Sequence, residues 1–155
     1  MSVYERLESL ERIGIKLGLR NIKVILEALG QPQTSYRSVL IAGTNGKGST
    51  GAMLDSILRK QGLRTGYYTS PHLIDVRERI QINRQMISQP DFKSVLTTVF
   101  DAVDSMTTSA RLETPPTYFE ILTAAAFLHF RWAKALCYLP AHIVSLVSRS
   151  YLPRE

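Results

Sequence analysis

A single lysine set among glycines, Gly43-Thr-Asn-Gly-Lys-Gly-Ser49, follows the apolar run Val39-Leu-Ile-Ala42. Glycines let a backbone turn sharply and aim successive N–H groups into one concavity, while a lysine ammonium adds a point charge. The chemistry that calls for both is the holding of phosphate. Gly43, Thr44, Asn45, Gly46, Lys47, Gly48 and Ser49 are therefore the candidate nucleotide-binding residues, with Lys47 supplying a point charge for the phosphates. The spacing departs from the common phosphate loop, because two residues rather than four separate the first glycine from Gly46-Lys47, and Gly48 follows the lysine where a hydroxyl is usual. The competing reading is a glycine-rich turn with a solvated lysine. Asn45 either orients the loop or simply tolerates a left-handed turn.

The elements around the loop decide between these readings. Val39 to Ala42 read as a buried strand, and a helix is expected from near Ser49 through Ala52, Met53, Ile57 and Leu58 to Gly62, its positive end facing the loop. Arg64 to Thr69 suit a second strand, which makes a strand, helix, strand unit of the parallel α/β kind. Before the loop, Tyr4, Leu7, Leu10 and Ile13 recur at helical spacing. A second helix carries Ile22, Ile25, Leu26 and Leu29, with Asn21 as a possible cap and Gly30 as its stop. Gly14 and Gly18 turn the chain between them. Downstream, Ile80 and Ile82 alternate as a strand, with a turn at Asn83-Arg84. Pro90 suits the first turn of a helix whose apolar face is Phe92, Val95, Leu96, Val99, Phe100 and Val103. The polar stretch Ser105 to Pro116 should break that helix, and Thr117 to Phe130 reads as another, deeply buried from Ile121 to Phe127.

Composition narrows the class. The 155 residues are one domain's worth, and 45% hydrophobic content is ordinary for a packed core. The net charge of +6 is spread without a dense Lys/Arg run, which suits a basic surface or small anions better than nucleic acid. Cys137 is the only cysteine, so no intrachain disulfide forms and a reducing compartment is implied. With no stretch resembling a signal peptide or membrane helix, the expectation is a cytoplasmic protein.

Taken together, these blocks resemble the folylpolyglutamate synthase and dihydrofolate synthase family, within the Mur ligase superfamily of ATP-dependent amide-forming enzymes. The blocks are Gly14-Ile-Lys-Leu-Gly-Leu19 with Asn21-Ile22, the loop Ala42 to Ser49, Tyr68-Thr-Ser-Pro-His-Leu73 with Arg77-Glu-Arg-Ile80, and Pro116-Thr-Tyr-Phe-Glu-Ile-Leu-Thr123. The resemblance implies a three-layer α/β fold with a P-loop-type parallel sheet, the N-terminal part of a Mur-ligase-like ATP-binding domain. It implies ATP and Mg²⁺ as cofactors, with Lys47 and the loop amides on the phosphates and Ser70 and Glu120 on the metal. It also implies folate or dihydropteroate and L-glutamate as substrates, with Pro71, His72 and Arg79 helping to shape the folate site. Hard Mg²⁺ prefers oxygen ligands and shares its shell with phosphate and water, so a hydroxyl and a carboxylate suffice from the protein. Against these roles, Glu120 could simply form a capping box with Thr117, and Ser70 could be a turn hydroxyl.

The resemblance runs from about Tyr4 to Phe130, and residues 131–155 read as a divergent tail. Every acidic residue except Glu155 lies at or before Glu120, and the family's glycine-rich acidic segment does not follow. A truncated product, for instance from a frameshift, is the expectation. Two rivals to a working ligase are a nucleotide-binding remnant without catalysis and a basic nucleic-acid-binding module. His129 reads as a packing residue, Cys137 as a small apolar filler, and Trp132 as core or interface; His142 lies in the tail without an assigned role.

Overall fold

In the computed structural model, which describes residues 1–14, 18–41 and 43–140, helices flank both faces of a five-stranded mixed sheet. The elements in chain order are α1 (Val3–Ser9), α2 (Arg20–Ala28), β1 (Ser38–Ile41), α3 (Lys47–Lys60), β2 (Thr65–Tyr68), β3 (Ile80–Ile82), β4 (Gln85–Met86), α4 (Gln89–Thr108), α5 (Tyr118–Trp132) and β5 (Leu136–Pro140). The strand order is β1-β5-β2-β3-β4. β5 runs parallel to both β1 and β2, whereas β3 and β4 are antiparallel additions. The expected parallel sheet is thus its three-stranded core. The antiparallel edge arises because Asn83 and Arg84, both at positive φ (50° and 67°), make a tight hairpin turn.

The two faces of β2 define the layers. Thr65 and Tyr67 point to α3, where Thr65 Oγ1 donates to Asp55 and Tyr67 Oη to the Gly48 carbonyl. Gly66 and Tyr68 point to α5, where they meet the rings of Phe130 and Phe119. This period-two alternation gives the three-layer arrangement, with α3 on one face and α5 on the other. The main core lies on the α5 side: Ile121, Leu122, Ala124, Ala125, Ala126 and Phe130 are fully buried, as are Phe92, Val95, Leu96 and Val99 of α4. Helix starts follow their caps. Ser88 accepts the Asp91 N–H ahead of α4, and Thr117 and Glu120 form a reciprocal capping box at α5.

Several expectations need correction. β1 is not buried: only Ile41 is, while Val39 and Leu40 are 41% and 36% exposed, because β1 is the sheet's edge among the described residues. Ala42, expected to end that strand, lies outside the described residues. The helix after the loop begins at Lys47, with Gly46 as its left-handed cap residue, and not near Ser49. Asn21 does not cap α2. It sits inside the helix, where its amide donates to Thr114, and Leu19 holds the cap position. α4 continues to Thr108 despite its polar end, where the Thr107 and Thr108 hydroxyls donate to carbonyls one turn back. Leu10–Ile13 form a 3₁₀ turn beyond α1.

α5 runs two residues past position 130, and β5 fills the middle of the sheet. Residues 141–155, most of the expected divergent tail, and His142 with them, lie outside the described residues. Cys137 is on β5, whose side chains are likewise outside them. His129 is partly buried against Phe130, and burial pulls its imidazole below the usual range, as expected of a packing residue. Trp132 is 47% exposed. Among the described residues no helix is long and apolar enough to cross a membrane.

Candidate functional site

The phosphate loop sits where β1 gives way to α3. Gly43 (φ +152°) and Gly46 (φ +73°) adopt backbone that residues with a Cβ resist, which explains glycine at both. The first turn of α3 has no side-chain cap and no acidic residue, so its N–H groups and the positive helix end face the loop unneutralised. Lys47 folds over the same turn, its Nζ donating to the carbonyls of Gly43 (2.6 Å) and Thr44 (3.0 Å). An ammonium held on the rim of an amide-lined turn is arranged to receive an anion.

The strand register places Ser70 at the same end of the sheet. Ser38 and Gly66 both pair with Cys137, and Val39 and Tyr67 both with Tyr138. Ile41 is therefore level with Thr69, and the start of the loop is level with Ser70-Pro71. β5 intervenes, so the two exits lie roughly 10 Å apart, two strand spacings. Ligands of open α/β sheets bind at this carboxyl edge of the parallel strands.

Ser70 belongs to a cluster. Arg79, only 9% exposed, donates to His72 Nδ1 (2.9 Å) and to Ser70 Oγ (3.4 Å), and its guanidinium lies 5.5 Å from the centre of the Tyr118 ring. The bond to Nδ1 makes that nitrogen the acceptor and leaves the proton of a neutral His72 on Nε2. Among the described residues Arg79 has no carboxylate within salt-bridge distance. Tyr68 and Thr123, just beneath, carry buried hydroxyl oxygens without a well-formed partner. Burial pushes the Tyr68 hydroxyl up to about 12, against smaller opposing effects of Thr123 and Arg79.

The loop from Pro71 is held in shape by Glu78, whose carboxylate accepts the N–H groups of Leu73, Ile74 and Asp75 at 2.8, 3.0 and 2.9 Å. Those bonds, Leu73's foremost, keep Glu78 below the usual carboxylate range. Pro71 itself is exposed and follows a cis peptide bond.

Glu120 lies two residues beyond Tyr118, at the start of α5. Its Oε2 accepts from Thr117 N (2.8 Å) and Thr117 Oγ1 (2.9 Å), so the capping box is real. Both bonds use one oxygen, and Oε1 accepts none among the described residues. α5 and α3 lie on opposite faces, yet both begin at the carboxyl edge of the strands, where the two faces meet. Ser70 Oγ and Glu120 Oε1 are hard oxygen donors, and no cluster of three His, Cys, Asp or Glu side chains exists among the described residues. That donor set fits a hard cation completing its shell with phosphate and water, and fits a dedicated protein cage poorly.

The structure thus joins Ser70, His72, Arg79 and the start of α5 by contact, and aligns the phosphate loop with them by register. Sequence reasoning missed Tyr118, which stands inside the same block as Glu120, and took in Glu78 only as part of the stretch from His72 to Arg79, without a role of its own. Both were legible as neighbours of assigned residues, but only the fold shows what they touch.

No protein-family model matches the chain. It is 38% identical over 119 residues to the dihydrofolate synthase/folylpolyglutamate synthase of Bacillus subtilis, covering 77% of this chain and 27% of that protein. It is 43% identical over 123 residues to a probable bifunctional folylpolyglutamate synthase/dihydropteroate synthase of Halobacterium salinarum, covering 78% of this chain and 15% of the relative. Among solved structures, a folylpolyglutamate synthase of Thermotoga maritima superimposes with a TM-score of 0.79 at 37% identity, over 89% of this chain and 32% of that one. The Mycobacterium tuberculosis folylpolyglutamate synthase complexed with ADP and AMPPCP gives 0.78 at 33%, over 89% and 31%. A bifunctional enzyme of the same kind with Mn, AMPPNP and L-glutamate bound gives 0.75 at 31%, over 90% and 32%. The chain spans about a quarter or less of these curated relatives' length, and what it matches is their N-terminal part.

Proposed function

We infer that this chain, alike in sequence and fold to the N-terminal part of the folylpolyglutamate/dihydrofolate synthases, carries the phosphate-binding part of an ATP-dependent ligase that joins L-glutamate to a folate or dihydropteroate carboxylate. The observation that carries the reading is the Lys47 loop at the carboxyl edge of the parallel strands, level with Ser70 by strand register. Solved relatives with ADP, AMPPCP, or AMPPNP with Mn support a nucleotide and a divalent cation as its ligands. In the family's reaction ATP phosphorylates the acceptor carboxylate, the glutamate amine then attacks the acyl phosphate, and ADP and phosphate leave. Catalysis of such a transfer rests on positioning and on offsetting charge.

The chain's own residues contribute as follows. The loop amides and the start of α3 bind the phosphates, and Lys47 exchanges its contacts with the Gly43 and Thr44 carbonyls for phosphate oxygens. Ser70 Oγ and Glu120 Oε1 hold Mg²⁺, which would supply Lewis-acid polarisation when bound. Glu78 keeps the Pro71–Asp75 loop in shape, and Arg79 orients Ser70 and His72 beside the acceptor site, to which Pro71 also belongs. A cytoplasmic location is part of this proposal.

The rival nucleic-acid reading rests on net charge alone and separates cleanly. Binding of Mg·ATP that an oligonucleotide does not displace supports the ligase reading, whereas strongly salt-dependent oligonucleotide binding without ATP binding overturns it.

A further inference from the structure

The helix that presents the phosphate loop is attached to the sheet in an unusual way. Its buried residues are Gly51 and Asp55, the latter fully so, whereas Met53 and Ile57 are 62% and 59% exposed. The polar part of its docking centres on Asp55. Asp55, with no solvent exposure, accepts from Thr65 Oγ1 (2.6 Å) and from Arg59 Nε (2.9 Å). Thr65 is fixed in turn by the hairpin turn, since Asn83 Oδ1 accepts the Thr65 N–H (2.9 Å) and the Asn83 N–H donates to the Thr65 carbonyl (2.8 Å). A second link runs alongside. Arg84 lies over the Tyr67 ring, 4.7 Å from its centre, and Tyr67 Oη donates to the carbonyl of Gly48, in the first turn of α3 (3.3 Å).

We propose that the Asn83-Arg84 turn, Thr65, Tyr67 and Asp55 form a brace that sets the position of the phosphate loop from behind, with Thr65, Tyr67 and Asp55 as positioning residues for nucleotide binding. One link grips α3 at its middle and the other at its first turn, so together they fix both the tilt and the advance of the helix. A buried, hydrogen-bonded carboxylate holds one geometry where an apolar face could slide, because moving it leaves Asp55 unpaired in a dry site. The consequence is that amides and lysine meet phosphate already in place, which reduces the ordering cost of binding.

This rests on the reading of the loop as a phosphate site, and the test separates the two. The full chain is compared with Thr65→Val, Thr65→Ser and Tyr67→Phe by calorimetry with Mg·ATP, and by hydrogen exchange at the helix-bonded amides of residues 50–58 without nucleotide, at a temperature where circular dichroism shows each folded. Thr65→Val keeps the branched shape with a methyl in place of the hydroxyl, and Tyr67→Phe removes only a hydroxyl. The expected result is Mg·ATP affinity about 3- to 30-fold weaker in both, faster exchange at residues 50–58, and restoration of both properties in Thr65→Ser. Affinity and exchange unchanged in folded Thr65→Val and Tyr67→Phe, even with a lowered melting temperature, would overturn the brace. If the unaltered chain does not bind Mg·ATP, the phosphate reading fails, and unchanged exchange in the variants would still overturn the brace separately.

Discussion

Glu120 closes a helix cap with one oxygen and is proposed to hold Mg²⁺ with the other, and substitutions can separate the two roles. Oε2 closes the capping box with Thr117, while Oε1 is the oxygen assigned to Mg²⁺. Glu120→Ala should cost about 1 kcal/mol of stability through the lost cap and should weaken nucleotide binding in Mg²⁺. Glu120→Gln keeps an acceptor for the Thr117 N–H, so denaturant melts should show a smaller loss. Its nucleotide affinity should fall with Mg²⁺ present and not with EDTA; equal affinities in both conditions would remove Glu120 from the metal site. Tyr68 gives a pH test. Its hydroxyl is raised to about 12 by burial from about 10 in an unfolded chain, so the folded state resists its ionisation. That contribution is fully present below pH 10 and is lost as pH rises toward 12, because the unfolded chain releases this proton first. Stability measured by denaturant at rising pH should fall less steeply over that window in Tyr68→Phe. Identical slopes would show that Tyr68 ionises freely.

Elements were legible wherever one signal decided them. Ser88 with Pro90, and Thr117 three residues before Glu120, marked the starts of α4 and α5 because a cap is local chemistry. The Asn83-Arg84 turn was legible for the same reason. What the sequence could not show was which strand neighbours which: an apolar run such as Val39 to Ile41 reads alike at a sheet's edge and in its centre, and β5 gains its place only by pairing with both β1 and β2. At the site, the glycine turn with Lys47 between strand and helix was readable from residue types and their flanking elements, whereas the Arg79 cluster spans Ser70 to Tyr118 and exists only in the fold. The β2–α5 interface offers its own test. A Cβ at Gly66 would stand 2.6 Å from the Phe130 ring, which is itself fully buried. Gly66→Ala should therefore cost on the order of 1–3 kcal/mol, read as a lowered denaturation midpoint. An unchanged midpoint would mean that α5 packs more loosely on β2 than described.

At the scale of the whole molecule, the described residues place a phosphate loop, a hydroxyl and a carboxylate along one sheet edge, over a region matching less than a third of each relative. The proposed ligase reaction needs more than phosphate binding, since it must also hold glutamate and exclude water from its intermediate. The central claim is narrower: the Lys47 loop holds the phosphates of ATP. Its most direct test is calorimetric titration of the purified chain with Mg·ATP, alongside Lys47→Ala. The account predicts saturable binding at one site, weakened on the order of tenfold to a hundredfold when the charged donor is removed. Absence of binding to the folded chain, or equal affinity in Lys47→Ala, would contradict it.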